Sequence, residues 1–204
     1  MLPRSSTVFL IAGDPAARRA MIARLKTMPW TFETCPSVEA LLDRQPTGLA
    51  CVLLDISQPA TDLETLGQVR QAAQLPVVAT SAKADVPLAV RAMKLGAHDF
   101  LDASCADTAL AHALQEAFEW YEEHLRRIRR AHGIRRRLAR LSAGQREVLD
   151  LVVAGKTNPQ IAEELDLTVR AVETRRSKMM ETMKAKSLAQ LVRLVIAAET
   201  RLER

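Results

Sequence analysis

The chain has few of the residues that mark disulfide-stabilised, zinc-binding or membrane-spanning proteins. Its 204 residues include only Cys35, Cys51 and Cys105, with no CxxC pair. An odd cysteine count without that spacing argues against both a disulfide framework and a zinc site. No apolar run approaches the roughly 20 residues that cross a bilayer, and no charged-then-apolar leader opens the sequence. These absences predict a cytoplasmic globular protein without membrane contact.

The two halves of the chain differ in net charge, because the second half has fewer acidic than basic residues. Residues 1–120 hold 10 Lys and Arg against 13 Asp and Glu, a net charge of −3. Residues 121–204 hold 19 against 11, a net charge of +8. The length allows one or two domains, and this asymmetry predicts that only the basic half meets a polyanion.

The first half alternates strand-like and helix-like segments. Residues 49–55, LACVLLD, are a continuous apolar run ending in an acid, which is typical of a central parallel strand buried on both faces. Five such β–α repeats predict a flavodoxin-like α/β domain with a five-stranded, parallel, doubly wound sheet. Ligands of such sheets bind beyond the carboxyl ends of the strands.

That edge of the predicted sheet is poor in charged groups. The residues expected there are Ala12, Gly13, Asp14, Asp55, Ser81 and Ala103. Only two of them are acids and none is a cation, so the residues do not by themselves predict a strong metal or phosphate site.

The second half shows apolar residues at helical spacing and no strand pattern, which predicts an all-α, four-helix domain. Ser142 and Gln145 form a capping box, and Gly155 marks the end of the first helix. Asn158 is the expected cap of the second helix. After a short turn, Thr168 caps the third, so the pattern is helix-turn-helix.

The third helix of this domain carries a polar face that suits the major groove of DNA. Its exposed positions are expected to be Arg170, Glu173, Thr174, Arg175, Arg176, Ser177 and Lys178. Cations neutralise phosphates, while short polar groups read base edges. On this basis Glu173 accepts from a cytosine amine, Thr174 packs on a thymine methyl and Arg175 grips a guanine. Pattern alone also allows an ordinary four-helix bundle with a charged exterior.

Two features lie between the halves. One is a heptad-like seam whose residues are spaced 4, 3, 4, 3 and 4 apart, followed by Gly133 as an interruption: Leu114, Phe118, Tyr121, Leu125, Ile128 and His132. It predicts either a dimer contact or packing on its own domain. The other is residues 126–140, with eight arginines and no acid, which form either a solvated face or a contact to DNA phosphates.

The motif VLDLVVAGKTNPQIAEELDLTVRAVETRRSKMMETMKAKSL closely resembles the DNA-binding domain of LuxR/NarL-type transcription regulators, especially the FixJ subgroup. The resemblance implies that three residues face bases: Glu173, Thr174 and Ser177. It places four others near the DNA backbone: Lys156, Asn158, Arg170 and Lys178. This sequence has Arg175 where the subgroup usually has His and Ala171 where it usually has Thr, which implies a different target site.

Residues 6–120 resemble the receiver domain of two-component response regulators, and KADVPLAVRAMKLGA at 83–97 carries the FixJ-like pattern. The resemblance makes Asp55 the phosphoacceptor position and Ser81 the hydroxyl after the fourth strand. The family's two Mg²⁺-binding acids fall on Ala12 and Gly13, with Asp14 just beyond them. Its Lys-Pro pair falls on Ala103 and Ser104. The receiver is therefore expected to be degenerate.

These losses have an electrostatic consequence. A carboxylate that attacks a phosphoryl group brings two anions together, so the reaction depends on neutralising cations. Asp55 alone is a poor Mg²⁺ site, and binding of that cofactor is doubtful. We therefore expect control that is independent of aspartate phosphorylation. The alternatives are a conventional receiver that uses Asp55, with Asp14 swinging inward to help, and a receiver that docks and sequesters a partner protein.

The expected organisation is a degenerate receiver over residues 1–120, an arginine-rich helical linker over 121–140 and a helix-turn-helix domain over 141–204. The expected partners are double-stranded promoter DNA, a second copy of the chain, and an unknown protein or small ligand as the input. No nucleophile–base, metal or phosphate-loop pattern supports an enzyme.

Overall fold

Five short strands form a parallel sheet in the first half of the chain. A computed structural model describes residues 6–46, 48–57 and 59–199. The strands are Thr7–Ile11 (β1), Thr31–Thr34 (β2), Ala50–Asp55 (β3), Val77–Ser81 (β4) and Asp99–Asp102 (β5). Their order is β2-β1-β3-β4-β5, with every neighbouring pair parallel. This confirms the doubly wound sheet predicted from the sequence.

Burial explains why the strands occupy these positions. All six residues of β3 are buried, as expected for a central strand covered on both faces. By contrast, three of the four residues of the edge strand β2 are exposed. One side of the sheet packs on a core that includes Phe9, Val52 and Leu66. Since all strands are parallel, their carboxyl ends meet at one edge.

Four helices connect the strands: Pro15–Leu25 (α1), Val38–Asp43 (α2), Pro59–Gln68 (α3) and Val86–Lys94 (α4). α3 continues as a π-helical turn over Val69–Ala73. The side chains of Asp14, Ser37 and Asp85 cap α1, α2 and α4, each accepting from a backbone N–H three residues later. Two of these caps open the helix beside a proline, which favours the first turn.

The next helix, Asp107–Ala139 (α5), runs for 33 residues without a break. The expected interruption at Gly133 is wrong, because the helix continues through it. A single helical glycine costs only about 1 kcal/mol. The burial of Ile134 and Leu138, which are 1% and 9% exposed, offsets that cost. The early seam positions Leu114 and Phe118 are fully buried within their own half of the chain.

The second half is entirely helical: Ala143–Val153 (α6), Asn158–Glu164 (α7), Val169–Met183 (α8) and Leu188–Glu199 (α9). The predicted capping box of Ser142 and Gln145 is present at the start of α6. The cap of α7 is Thr157 rather than Asn158, and the Gln160 side chain accepts from its N–H. The pairing of Thr157 with Gln160 as a capping box explains this shift, because it satisfies backbone donors at the start of the helix.

The chain forms two compact units that divide after His124. The core of the second unit combines Ile134 and Leu138 of α5 with buried residues of α6 to α9, including Met179 and Met183. Part of the segment predicted as a linker is therefore core. No helix in the described part of the chain combines the length and apolarity that a bilayer crossing requires.

We expect Ile134→Ala to destabilise the second unit selectively, by about 2 to 5 kcal/mol, because it leaves a cavity in the core. Both tryptophans, Trp30 and Trp120, lie in the first unit, so their fluorescence reports on that unit alone. In urea, the unfolding transition measured by helical circular dichroism is expected to move to lower denaturant concentration, while the transition measured by fluorescence stays unchanged. Half-buried Ile128, replaced by Ala, is the control. Equal losses for both variants would contradict this assignment.

Candidate functional sites

The carboxyl edge of the sheet brings the predicted pocket residues together. β1 is followed by Ala12 and Gly13, β3 ends on Asp55, β4 ends on Ser81 and β5 is followed by Ala103. Asp55 and Ser81 are both buried, at 4% and 0% exposure. A backbone hydrogen bond from Ala103 N to Ser81 O, 2.9 Å long, joins the last two strand ends. The structure therefore places these residues at the ends of neighbouring parallel strands.

The Asp55 carboxylate already has a hydrogen-bond donor from within the chain. The Ser57 hydroxyl donates to Asp55 Oδ1 at 2.6 Å, and Ser57 Oγ accepts from the backbone N–H of Ala82 at 3.2 Å. Ser57 thus bridges the loop after β3 to the loop after β4. Ser81 Oγ accepts from the N–H of Lys83 at 3.1 Å. Both hydroxyls at this edge therefore hold loop backbone in place.

Asp14, the other acid predicted at this edge, is engaged by the backbone of its own helix. Its carboxylate caps α1 and accepts from the Ala17 N–H at 2.7 Å. The Arg18 guanidinium donates two hydrogen bonds to the carbonyl of Ala12, at 2.6 and 3.1 Å. The position that receives an acid in typical receivers is thus a buried alanine whose backbone is bound by arginine.

Arg24 of α1 binds the loop after β5. Its guanidinium donates to Ala103 O at 2.9 Å, to Cys105 O at 2.7 Å and to Asp107 Oδ1 at 2.6 Å. Its side chain is only 16% exposed. Burial lowers the pKa of Arg24, but hydrogen bonds to Cys105 and Asp107 more than offset this and give a net rise. A permanent cation therefore holds the loop after β5.

The residues at this edge do not fit a divalent cation. Asp55 accepts a hydrogen bond from a serine, Asp14 caps a helix, and the first strand is followed by Ala12 and Gly13. Within residues 6–46, 48–57 and 59–199, no three or more acidic, histidine or cysteine side chains converge as metal ligands. Magnesium usually needs one or two carboxylates together with other oxygen ligands.

The third helix of the second unit, α8, presents one continuous polar face. Six of its exposed residues recur at spacings of three or four: Arg170, Glu173, Thr174, Ser177, Lys178 and Glu181. Val172, Met179 and Met183 lie on the other side, in the core. Thr174 bonds the carbonyl of Arg170 on its own helix at 2.9 Å, which leaves its methyl group outward. This face has the chemistry expected of a groove-reading helix.

Two residues predicted to contact the DNA backbone have partners within the domain. Lys156 forms an ion pair with Glu164, and Asn158 Oδ1 accepts from the Arg176 guanidinium at 2.7 Å. The second contact joins the start of α7 to the middle of α8. Asn158 thus links the two helices of the helix-turn-helix, a contact that the sequence did not predict.

Arg175 lies against α6 rather than on the outer face of α8. Its Nη1 lies 3.8 Å from the Glu147 carboxylate, and a Cβ on Gly144 would come within 2.6 Å of the same nitrogen. The guanidinium therefore occupies the space left by the missing side chain at residue 144. The sequence signal was available, since a glycine in the first turn of a helix is unusual unless something packs on it.

Family models divide the chain as the fold does. "Response regulator receiver domain" matches residues 8–115, and "Bacterial regulatory proteins, luxR family" matches residues 139–195. The chain is 34% identical to the transcriptional regulatory protein FixJ of Bradyrhizobium diazoefficiens over 194 residues, 94% of this chain and 95% of that protein. It is 27% identical over 206 residues to the response regulator protein TodT of Pseudomonas putida, covering 100% and 91%.

A solved structure of the response regulator StyR is similar along almost its whole length. The TM-score is 0.76 with 28% identity, and the alignment covers 94% of this chain and 98% of that one. The likeness therefore extends to the receiver and the helical domain together.

We expect Arg24→Gln to loosen the loop after β5, because one guanidinium supplies three of its hydrogen bonds. Hydrogen bonds to charged groups contribute roughly 1.5 to 3 kcal/mol each at most, so amide exchange across residues 103–107 is expected to accelerate at least tenfold. Hydrogen-exchange mass spectrometry measures this. Arg19→Gln, at an exposed position of the same helix, is the matched control. Unchanged protection in the Arg24 variant would contradict the assignment.

Proposed function

The chain belongs to the luxR family of bacterial regulatory proteins and carries a response regulator receiver domain, and we propose that this receiver acts without phosphorylation of Asp55. The protein is a DNA-binding transcription regulator of the two-component response regulator type. The proposal concerns how that regulator is controlled. We further propose that it works in the cytoplasm as a homodimer.

The observation that carries the proposal is the engagement of Asp55, the buried acid at the sheet edge, by contacts within the chain. Asp55 receives a 2.6 Å hydrogen bond from Ser57, while Asp14 is occupied as the cap of α1. A phosphoryl acceptor needs cations opposite its developing negative charge. Arg24 could supply such a cation, but its guanidinium donates to two backbone carbonyls and to Asp107. These contacts favour a receiver controlled by a partner protein or a small ligand.

For DNA binding, we propose that α8 enters the major groove and that its outer face carries the contacts. Glu173, Thr174 and Ser177 face bases, with the methyl of Thr174 suited to thymine. The backbone contacts are assigned to Lys156, Asn158, Arg170 and Lys178. Arg175 is held beside α6 by its ion pair with Glu147. We propose that Arg175 contacts a guanine when this ion pair is released.

We expect the wild-type chain, incubated with Mg²⁺ and a small phosphodonor, to show no adduct of about 80 Da at Asp55 by intact mass. The gain-of-function counterpart is a triple variant that restores the family pattern, Ala12→Asp, Gly13→Asp and Ala103→Lys. The Gly13 position has room for a side chain, since an added Cβ meets nothing within 4 Å. This variant is expected to acquire the adduct.

Stoichiometric labelling of the wild type that disappears in Asp55→Asn would overturn the proposal and favour a conventional response regulator. In cells, Asp55→Asn is expected to leave promoter regulation at the wild-type level. A regulator that loses its output with this single change would equally contradict phosphorylation independence.

We expect substitutions on α8 to separate base reading from phosphate binding. Glu173→Ala should relax preference at one base pair by about 1 to 3 kcal/mol, measured by selection from a random duplex library. Lys178→Ala should weaken binding to all sequences alike and lower the salt slope by about 1. Lys94→Ala, an exposed lysine of the receiver, is the control. Identical selected motifs for wild type and Glu173→Ala would show that this residue reads no base.

A further inference from the structure

The end of α5 and the residue that follows it carry a row of exposed arginines. Arg129 and Arg136 are exposed and lie within roughly 20° of each other around the helix axis, at 100° per residue, and exposed Arg140 directly follows the last helical residue, Ala139. We refer to these three residues as the arginine stripe. It extends about 16 Å, from the 1.5 Å rise per residue.

Other arginines of the same segment donate hydrogen bonds within the domain, whereas the described residues show no such bond for the side chains of the stripe. Arg135 donates to Ala198 O at 3.0 Å, and Arg137 donates to Met183 O at 3.1 Å. These two bonds satisfy carbonyls at the ends of α9 and α8. The stripe faces away from Ile134 and Leu138, which pack into the core. Its charges are therefore not needed to hold the helices together.

The composition around the stripe favours binding of phosphate over simple solvation. No acid occurs between Glu123 and Glu147, and all eight basic residues of 126–140 are arginine rather than lysine. Arginine presents a planar fork that pairs bidentately with phosphate. The helix dipole accounts for cations in the last turn, near Ala139, but not for Arg129, ten residues earlier. Unopposed like charges four residues apart also destabilise a helix slightly.

A neighbouring groove extends the basic surface. It has a volume of about 360 Å³ and lies between α5 and α9, with Arg130 and Arg193 in its lining and no acidic residue among the lining side chains. An anion that contacts the stripe therefore meets further guanidinium groups beside it. The combined surface is larger than a single bound ion requires.

We propose that the arginine stripe binds backbone phosphates of duplex DNA that flank the segment read by α8. The inference rests on DNA binding by the second unit and not on how the receiver is controlled. The Arg137–Met183 bond fixes α5 beside the carboxyl-terminal end of α8. Met183 lies ten residues beyond Glu173, on the order of 15 Å along the helix. Because this separation exceeds the ~8 Å Debye length at physiological salt, the charges of the stripe add little at the bases near Glu173 and act instead on the flanking phosphates.

A membrane is the less suitable polyanion for this surface. A helix that lies on a lipid surface inserts an apolar face beside its basic one. The apolar face of α5 in this region is buried, with Ile134 1% exposed and Ala131 4% exposed. Duplex DNA requires only the charged face, and phosphate contacts supply most of nonspecific binding.

The test uses the full-length chain and two duplexes of mixed sequence, about 15 and about 40 base pairs long, the longer one leaving room for flanking contacts. The triple variant Arg129→Gln, Arg136→Gln and Arg140→Gln removes the stripe while keeping helix propensity. Its affinity for the long duplex is expected to fall about 10- to 100-fold at physiological salt, with the salt slope lower by about 2.7. On the short duplex the loss should be much smaller.

The matched control removes three exposed cations from the receiver: Lys26→Gln, Arg91→Gln and Lys94→Gln. It changes the net charge equally and is expected to bind like the wild type. An unchanged salt slope in the stripe variant, or an equal loss in the control, would overturn the inference. Vesicles containing anionic lipid serve as a second probe, and stripe-dependent binding to them in place of DNA would also overturn it. Failure of the wild type to bind either duplex would instead contradict DNA binding itself.

Discussion

A parallel sheet buried on both faces forces every strand to end at the same edge, and that constraint organises the first half of this protein. It gathers Asp55, Ser81 and the loops after β1 and β5 without any long-range pairing of charged groups. With Asp55 hydrogen-bonded to Ser57 and the guanidinium groups of Arg18 and Arg24 donating to backbone carbonyls, the edge is held together by contacts within the chain.

The second half follows a different logic, in which one set of residues builds the domain and another remains outward. Three arginines donate to groups within the domain: Arg135 and Arg137 to carbonyls at helix ends, and Arg176 to Asn158. The outer face of α8 and the arginine stripe are left to solvent. A basic domain thus contains two kinds of arginine, and only the contacts of each side chain separate them.

The sequence predicted the order of elements well, because apolar spacing, caps and strand runs are local signals. The parallel sheet, the capping box at Ser142 and the identity of the edge residues were all predictable in this way. The interruption at Gly133 was wrong because core packing by Ile134 outweighed a local propensity. The link from Ser57 to Ala82 and the contact of Arg24 with Asp107 were missed because these partners lie 25 and 83 residues apart in the chain. Spacing along one chain segment carries no information about such contacts.

Gly144 and Arg175 form a pair whose members are 31 positions apart yet share one volume. Any attempt to transplant α8 between relatives, as is done to redirect promoter choice, has to move residue 144 with it. A helix bearing a smaller residue at 175 would leave a void over the glycine, and a larger residue at 144 would evict the guanidinium. In chimaeric regulators the unit of exchange is therefore the α6 start together with α8, not the recognition helix alone.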